Sequence, residues 1–145
     1  MKFKLIIDKE KDEEIIVTAK ERSPLIDEIE GLISKYTDRI PGYLDDEIKM
    51  LAVSEIECIT VLEGKTYAID TKNQQYRLKQ RLYELESTLP ATFIRINKSA
   101  LANEKALDRF AVAYTGAVDA VFKCGYREYV SRRCFSQIKR RFAVK

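Results

Sequence analysis

Two short runs of this 145-residue chain hold side chains whose types and spacing suit chemistry at a charged partner. The first is Asn97-Lys98-Ser99, an amide, an ammonium and a hydroxyl side by side, directly after the alternating run Phe93-Ile94-Arg95-Ile96. Asn can pair with adenine N6 and N7, while Lys and Ser hold phosphate oxygens. The second is Ser131-Arg132-Arg133, where Ser131 reads as the N-cap of a helix with Arg132 and Arg133 in its first turn. A guanidinium fork takes a phosphate, or guanine O6 and N7, through two parallel hydrogen bonds, and the free N–H groups of a helix start favour the same anion. On a helical wheel Cys134, Phe135, Ile138 and Phe142 fall in one sector, and Arg132, Arg133, Lys139 and Arg140 in the opposite one. Asn97, Lys98, Ser99, Arg132, Arg133, Lys139 and Arg140 are therefore the candidate nucleic-acid contacts. The bland alternatives are ordinary loop chemistry for the first run and a solvated basic face for the second.

Charge distribution favours the contact reading. The last 26 residues carry Lys123, Arg127, Arg132, Arg133, Lys139, Arg140, Arg141 and Lys145 against the single acid Glu128, a net +7, whereas the other 119 residues sum to −4. The modest total of +3 thus hides one strongly positive end, which is what a polyphosphate selects.

Several function classes drop out. The chain has no histidine, which removes the commonest general base, the Ser-His and Cys-His nucleophile pairs and the commonest zinc ligand. Cys58, Cys124 and Cys134 are far apart among apolar neighbours and read as small packing residues, not as a disulfide framework or metal pair. Three adjacent acids, Asp45-Asp46-Glu47, read as a solvated loop. No catalytic residue, cofactor, metal or small-molecule substrate is expected. Hydrophobic content of 46% with only five Gly and three Pro describes a folding chain of one core plus a small extension. No apolar run reaches a membrane span and the first residues do not resemble a signal peptide, so a cytoplasmic protein is expected.

These corners need elements to hold them. Phe3–Ile7 and Glu14–Val17 are expected as short strands, and Ser23-Pro24 as the cap and first residue of a helix whose stripe is Leu25, Ile26, Ile29, Leu32, Ile33 and Tyr36. Core packing or a dimer surface would both use that stripe. A break at Pro41-Gly42 and the acidic triplet divides the chain into an extension, residues 1–44, and a main domain, residues 45–145. Strands are expected at Met50–Val53, Ile56–Leu62, Thr66–Asp70, Gln75–Leu78, Thr92–Ile96, Lys105–Tyr114, Val118–Lys123 and Tyr126–Val130. Turns fall at Glu63-Gly64-Lys65, Thr115-Gly116 and Cys124-Gly125, and one short helix lies between Leu78 and Pro90 with Leu78, Leu82, Leu85 and Leu89 inward. The fold class is mainly β with short helices (α+β), after a small strand-strand-helix extension.

Phe93, Arg95, Asn97, Lys98, Ser99, Leu101 and Asn103, followed by Ser131-Arg132-Arg133 and Ile138-Lys139, together resemble the LytTR-type DNA-binding domain. Ile56-Glu57-Cys58-Ile59, the Gly64 turn and Leu82-Tyr83-Glu84-Leu85 approaching Leu89-Pro90 resemble it too, so the likeness spans about residues 46–142. Ala100, Ala102 and Asn97 stand where an aromatic, a valine and a histidine are frequent. The resemblance implies a β-rich domain that reads duplex DNA through loops, with the Asn97-Lys98-Ser99 and Ser131-Arg132-Arg133 corners each entering a major groove and the Thr115-Gly116 loop near the minor groove between them. It implies paired DNA repeats and a small stand-alone regulator, because residues 1–44 are too few for a phosphoacceptor domain; a homodimer is expected. Through residue 50 the chain has nine basic and thirteen acidic residues, a poor DNA surface and a better one for dimerisation or a protein partner. The expected function is a sequence-specific, double-stranded DNA-binding transcriptional regulator without catalysis. The alternatives are an RNA-binding protein that stacks bases on Phe122, Tyr126 and Tyr129, and a protein-interaction module acting through helix 24–36.

Overall fold

The computed structural model describes residues 2–11, 15–37 and 39–142, with side chains of residues 30, 31 and 33–37 left out. Glu14 of the second expected strand, the Ile33 and Tyr36 side chains and the terminal Lys145 lie outside the described residues. The first regular element is α1 (Pro24–Thr37), opened by Ser23: its carbonyl accepts from Asp27 N at 3.1 Å, and its Oγ lies 3.4 Å from Ile26 N. Of its expected stripe, Leu25 and Leu32 are 47% and 55% exposed, while Ile26 and Ile29 are half-buried.

Ten strands follow. β1 (Arg39–Leu44), β2 (Glu47–Ala52), β3 (Ile56–Leu62), β4 (Lys65–Asp70), β5 (Gln75–Leu78), β6 (Phe93–Asn97) and β7 (Ala100–Asn103) form one antiparallel sheet in the order β2-β1-β5-β4-β3-β7-β6. β8 (Leu107–Val112), β9 (Val118–Phe122) and β10 (Arg127–Val130) form a second, in the order β10-β9-β8. α2 (Leu82–Thr88) links β5 to β6, and α3 (Arg132–Arg141) follows β10.

The central strands β3 and β7 are buried on both faces, which explains why they read as nearly continuous small and apolar runs. On one face Ile56, Ile59, Leu78 and Leu101 pack with Leu82 and Leu85 of α2. On the other, Cys58, Ile69, Ile96, Ala100 and Ala102 pack with Phe122 and Val130 of the small sheet and Ile138 of α3. The three layers share their polar ends, because strand termini and turns must stay where backbone groups can be satisfied.

Several sequence expectations need correction. Residues 3–7 and 15–17 form no strand: a strand requires a partner ladder, and these segments stand exposed beside none. Pro41-Gly42, read as a break, lies inside β1, which pairs with β2 along its whole length and with β5 at Tyr43↔Arg77. Proline is tolerated there because position 41 has a ladder partner on one side only. Residues 39–44 thus belong to the same sheet as the rest of the fold. The expected strand at 105–114 is shorter: Asn103 Oδ1 accepts from Lys105 N at 3.2 Å and caps a 3-10 turn over Glu104–Ala106, so the strand starts at Leu107. Met50–Val53 shifts to β2, with Val53 opening another 3-10 turn. β7 escaped the strand reading because alanine is a weak strand former; between β3 and β6 its small side chains let the layers approach. Phe142, placed on the inner helix face by periodicity, is 45% exposed at the frayed end of α3.

Gly42 is required by packing. A Cβ there would sit 2.6 Å from Leu51 Cδ1 and 2.8 Å from Tyr76 Cβ, both inside the core. Gly42→Ala is expected to destabilise the fold by about 1–3 kcal/mol through overpacking, read as a lower midpoint in urea unfolding with an unchanged slope.

Candidate nucleic-acid interface

The Asn97 corner is built by a break in the sheet ladder. The β6–β7 register shifts between Arg95 and Asn97, so the Ile96 carbonyl turns away from β7 and accepts from Ser131 N at 2.9 Å. Asn97 itself is 6% exposed. Its Nδ2 donates to the Tyr129 carbonyl at 2.6 Å and lies 3.4 Å from Glu128 Oε2, and its Oδ1 accepts from Ser99 N at 2.7 Å. Every polar atom of the amide is thus engaged inside the protein, so that Asn97 clasps β6 to β10 and shapes the Lys98-Ser99 turn. The same clasp brings the two sequence-distant corners side by side.

Around it, Arg95 ties α2 to the turn. Its Nε and Nη2 donate to Glu86 at 3.0 and 2.8 Å, and its Nη1 donates to the Lys98 carbonyl at 2.7 Å. The bond from Arg95 holds the Glu86 carboxyl below its ordinary range. With its backbone fixed, Lys98 projects its ammonium to solvent, and Ser99 is half-buried. Ser99 O accepts from Val61 N at 2.9 Å, which joins this turn to the neighbouring strand β3.

On the other side, Ser131 caps α3 as expected, with Oγ accepting from Cys134 N at 3.2 Å. Ile138 is buried and Cys134 and Phe135 are half-buried, while Arg132, Arg133, Lys139 and Arg140 are exposed. The Lys139 ammonium sits 5.0 Å from the Phe135 ring centre. Among the described residues, the Lys98, Arg132, Arg133 and Arg140 side chains have no hydrogen-bond or ion-pair partner. Arg141 is different: it grips Glu104 at 2.7 and 3.1 Å and serves the fold. Two cations in the first turn of a helix oppose its dipole, an arrangement that a phosphate would relieve.

A further cluster was not visible in the sequence. The β3–β4 turn, with Glu63 and Gly64 both at positive φ, lies at the same end of the sheet as the Lys98-Ser99 turn. There, Lys65, Arg77, Lys79 and Arg81 line an open groove of about 420 Å³. All four are exposed, and Lys79 stands 4.7 Å from the Tyr43 ring centre. In the sequence they alternate with neutral residues over two strands and a linker, so no charge run announces them. Only antiparallel pairing of β4 with β5 gathers them beside the clasped corners.

Behind the corners the polar groups are internally satisfied. Tyr126 Oη donates to Glu128 Oε1 at 2.9 Å, and burial followed by that bond pushes its phenol well above the usual tyrosine range. Glu57 Oε1 accepts from Cys124 N at 2.9 Å. Burial raises the Cys58 and Cys124 thiols, which keeps them protonated and fits their reading as packing residues. Among the described residues no three His, Cys, Asp or Glu side chains converge as metal ligands, and no helix is long and apolar enough to cross a membrane.

Comparison with known proteins gives concordant results. The family model described as the LytTr DNA-binding domain matches residues 46–143. An uncharacterized HTH-type transcriptional regulator of Staphylococcus aureus strain MSSA476 is 33% identical over 143 residues, covering 90% of this chain and 97% of that protein. A like-named protein of strain NCTC 8325 / PS 47 is 34% identical over 123 residues, 81% of this chain and 83% of that protein. A solved LytTr DNA-binding domain from Bacillus cereus superposes with a TM-score of 0.67 at 19% identity, covering 74% of this chain and 99% of that one, a likeness of fold. Among the described residues no two α-helices follow one another without a strand between them, so a helix-turn-helix is not how this fold presents its cations.

Asn97→Ala is expected to cost about 1–3 kcal/mol of stability, because the Tyr129 carbonyl and Ser99 N–H lose their buried partner; chemical denaturation would read it. The Glu86 pair contributes above the ordinary carboxylate range and is lost as pH falls through it, since the folded pKa is the lower one. Glu86→Gln should therefore flatten the acid limb of stability against pH. Tyr126 has the opposite sign: its raised pKa contributes below the ordinary phenol range and is lost as pH rises beyond it, so Tyr126→Phe should flatten the alkaline limb.

Proposed function

Since this chain belongs to the LytTr DNA-binding domain family, we propose that it is a sequence-specific transcriptional regulator that grips duplex DNA through two clasped loop corners and acts by contact, without catalysis. The observation that supports this most is the pairing of the Lys98-Ser99 turn with the Arg132-Arg133 helix start, held together by the Asn97 and Ser131 bonds and carrying cations without protein partners. Arg132 and Arg133 are the base-reading candidates, entering a major groove. Lys98, Ser99, Lys139 and Arg140 hold phosphates, and the groove cations Lys65, Lys79 and Arg81 extend that track along the sheet end. The regulator works in the cytoplasm as a homodimer on paired repeats, with residues 1–44 supplying the dimer or partner surface.

The RNA-stacking alternative loses its platform: Phe122 is buried in the core and the Tyr126 hydroxyl is bound to Glu128, leaving Tyr129 alone exposed. Competition among duplex DNA, duplex RNA and single-stranded RNA separates the two, and tight RNA binding without preference for DNA would overturn the present reading.

In titrations at fixed salt, Arg133→Ala is expected to weaken binding to a selected duplex by about 1–3 kcal/mol and to relax preference at one base pair. Lys139→Ala and Lys98→Ala should weaken binding to all sequences alike and lower the salt slope by about 1 each. Unchanged affinity in Arg133→Ala would contradict the assignment of that corner.

A further inference from the structure

The end of the molecule away from the clasped corners carries an unfinished sheet. β2 is the terminal strand of the large sheet, so one of its edges has backbone N–H and C=O groups without a ladder partner among the described residues. Ile48 and Met50 on it are 64% and 51% exposed. Upstream, Asp8–Lys11 forms a turn, with Glu10 N donating to Asp8 Oδ1 at 3.0 Å and Lys11 N to Asp8 O at 3.4 Å. Strand-forming residues flank that turn: Phe3, Leu5, Ile6 and Ile7 before it, Ile15, Ile16 and Val17 after it, all 43–91% exposed. A turn between two strand-prone segments, with neither segment paired, is half of a structure. A monomer seldom leaves so many large apolar side chains in water.

We propose that the missing half is a second copy of this chain: residues 2–7 of each copy pair with the β2 edge of the other, giving a two-fold strand exchange that extends both sheets. This deepens the homodimer reading above by naming its surface. Phe3, Leu5 and Ile7 alternate on one face of an extended segment, and Ile48 and Met50 alternate on one face of β2, so a single register lays all five in one apolar stripe. Charge favours the parallel direction: Asp45, Asp46 and Glu47 stand exposed at the start of β2 without an ion pair among the described residues, and Lys2 and Lys4 lie at the start of residues 2–11, whereas at the other end Asp8 and Glu10 offset Lys9 and Lys11. The area is consistent as well: the five stripe side chains of each copy, at roughly 100 Å² each, supply the larger part of the roughly 800 Å² per partner of a standard interface, and the paired backbones add to it. The exchange is self-complementary and closed, as a two-fold dimer requires.

The test uses the full chain. Light scattering after gel filtration should give a dimer for the parent, and about half that mass for Leu5→Asp and for Ile48→Asp, both of which change exposed positions and should melt as the parent does. A carbodiimide, which joins lysine to carboxylate without a spacer, should link residues 2–11 to Asp45, Asp46 or Glu47 between a ¹⁵N-labelled and an unlabelled copy. A monomeric parent, a dimer unmoved by both variants, or links confined to one copy would overturn the proposal. Binding to a single half-site separates this from the DNA reading: the monomeric variants should keep parental half-site affinity and lose only the gain from paired repeats, whereas a parent that ignores every duplex would sink the regulator reading and leave the dimer result standing.

Discussion

The Asn97 amide and the Ser131 N–H, one reaching across to β10 and the other back to β6, are the contacts on which the proposed interface depends. Their chain separation exceeds thirty residues, so neither corner could find the other through local structure. A buried amide with all its groups paired inside a low-dielectric layer is worth more than its count of bonds suggests, because any slip leaves a carbonyl or N–H orphaned. That penalty holds the Lys98-Ser99 turn and the start of α3 in one arrangement. Cations borne on such a frame lose little freedom on meeting a polyanion, which is the advantage of preorganisation.

The layers beneath make the frame possible. Because the central strands β3 and β7 are covered on both faces, by α2 on one side and by the small sheet with α3 on the other, their ends are the places left there for polar chemistry. Lys98-Ser99, the groove cations and the α3 start all fall at strand ends. Arg132 and Arg133 then stand where the helix dipole disfavours them, a local conflict of the sort that marks functional positions. Arg95 and Arg141 show the contrast: the same residue type, bound bidentately to Glu86 and Glu104, is spent on architecture.

Much of this was legible beforehand, and the reasons are physical. β3 and β5 were placed to the residue, and the α3 cap was found, because alternation, primed-turn glycines and a Ser before two arginines are local signals. The extent of residues 46–143 as a recognisable domain was legible through the Asn97 and Ser131 motifs. What failed was non-local. Nothing in Asn-Lys-Ser says whether the amide faces solvent or a carbonyl thirty residues on, so the clasp to Tyr129 is invisible in the sequence. β1 was hidden because Pro-Gly is a breaker until an asymmetric ladder and a crowded Leu51–Tyr76 contact make it necessary. The groove of Lys65, Lys79 and Arg81 was hidden because pairing, not sequence proximity, assembles it. In the amino-terminal segment the difference runs the other way: strand propensity at Phe3–Ile7 is real, but among the described residues no strand stands beside it.

The central claim, that Asn97 acts as a clasp for both corners, is tested most directly by selecting bound sequences from a random duplex pool with the parent and with Asn97→Ala, below the melting temperature of both. A clasp predicts that base preference weakens together at the positions governed by the Lys98-Ser99 turn and at those governed by Arg132-Arg133. Loss confined to one base pair, as a direct reading of adenine by Asn97 would give, or a preference identical to the parent's, would contradict it.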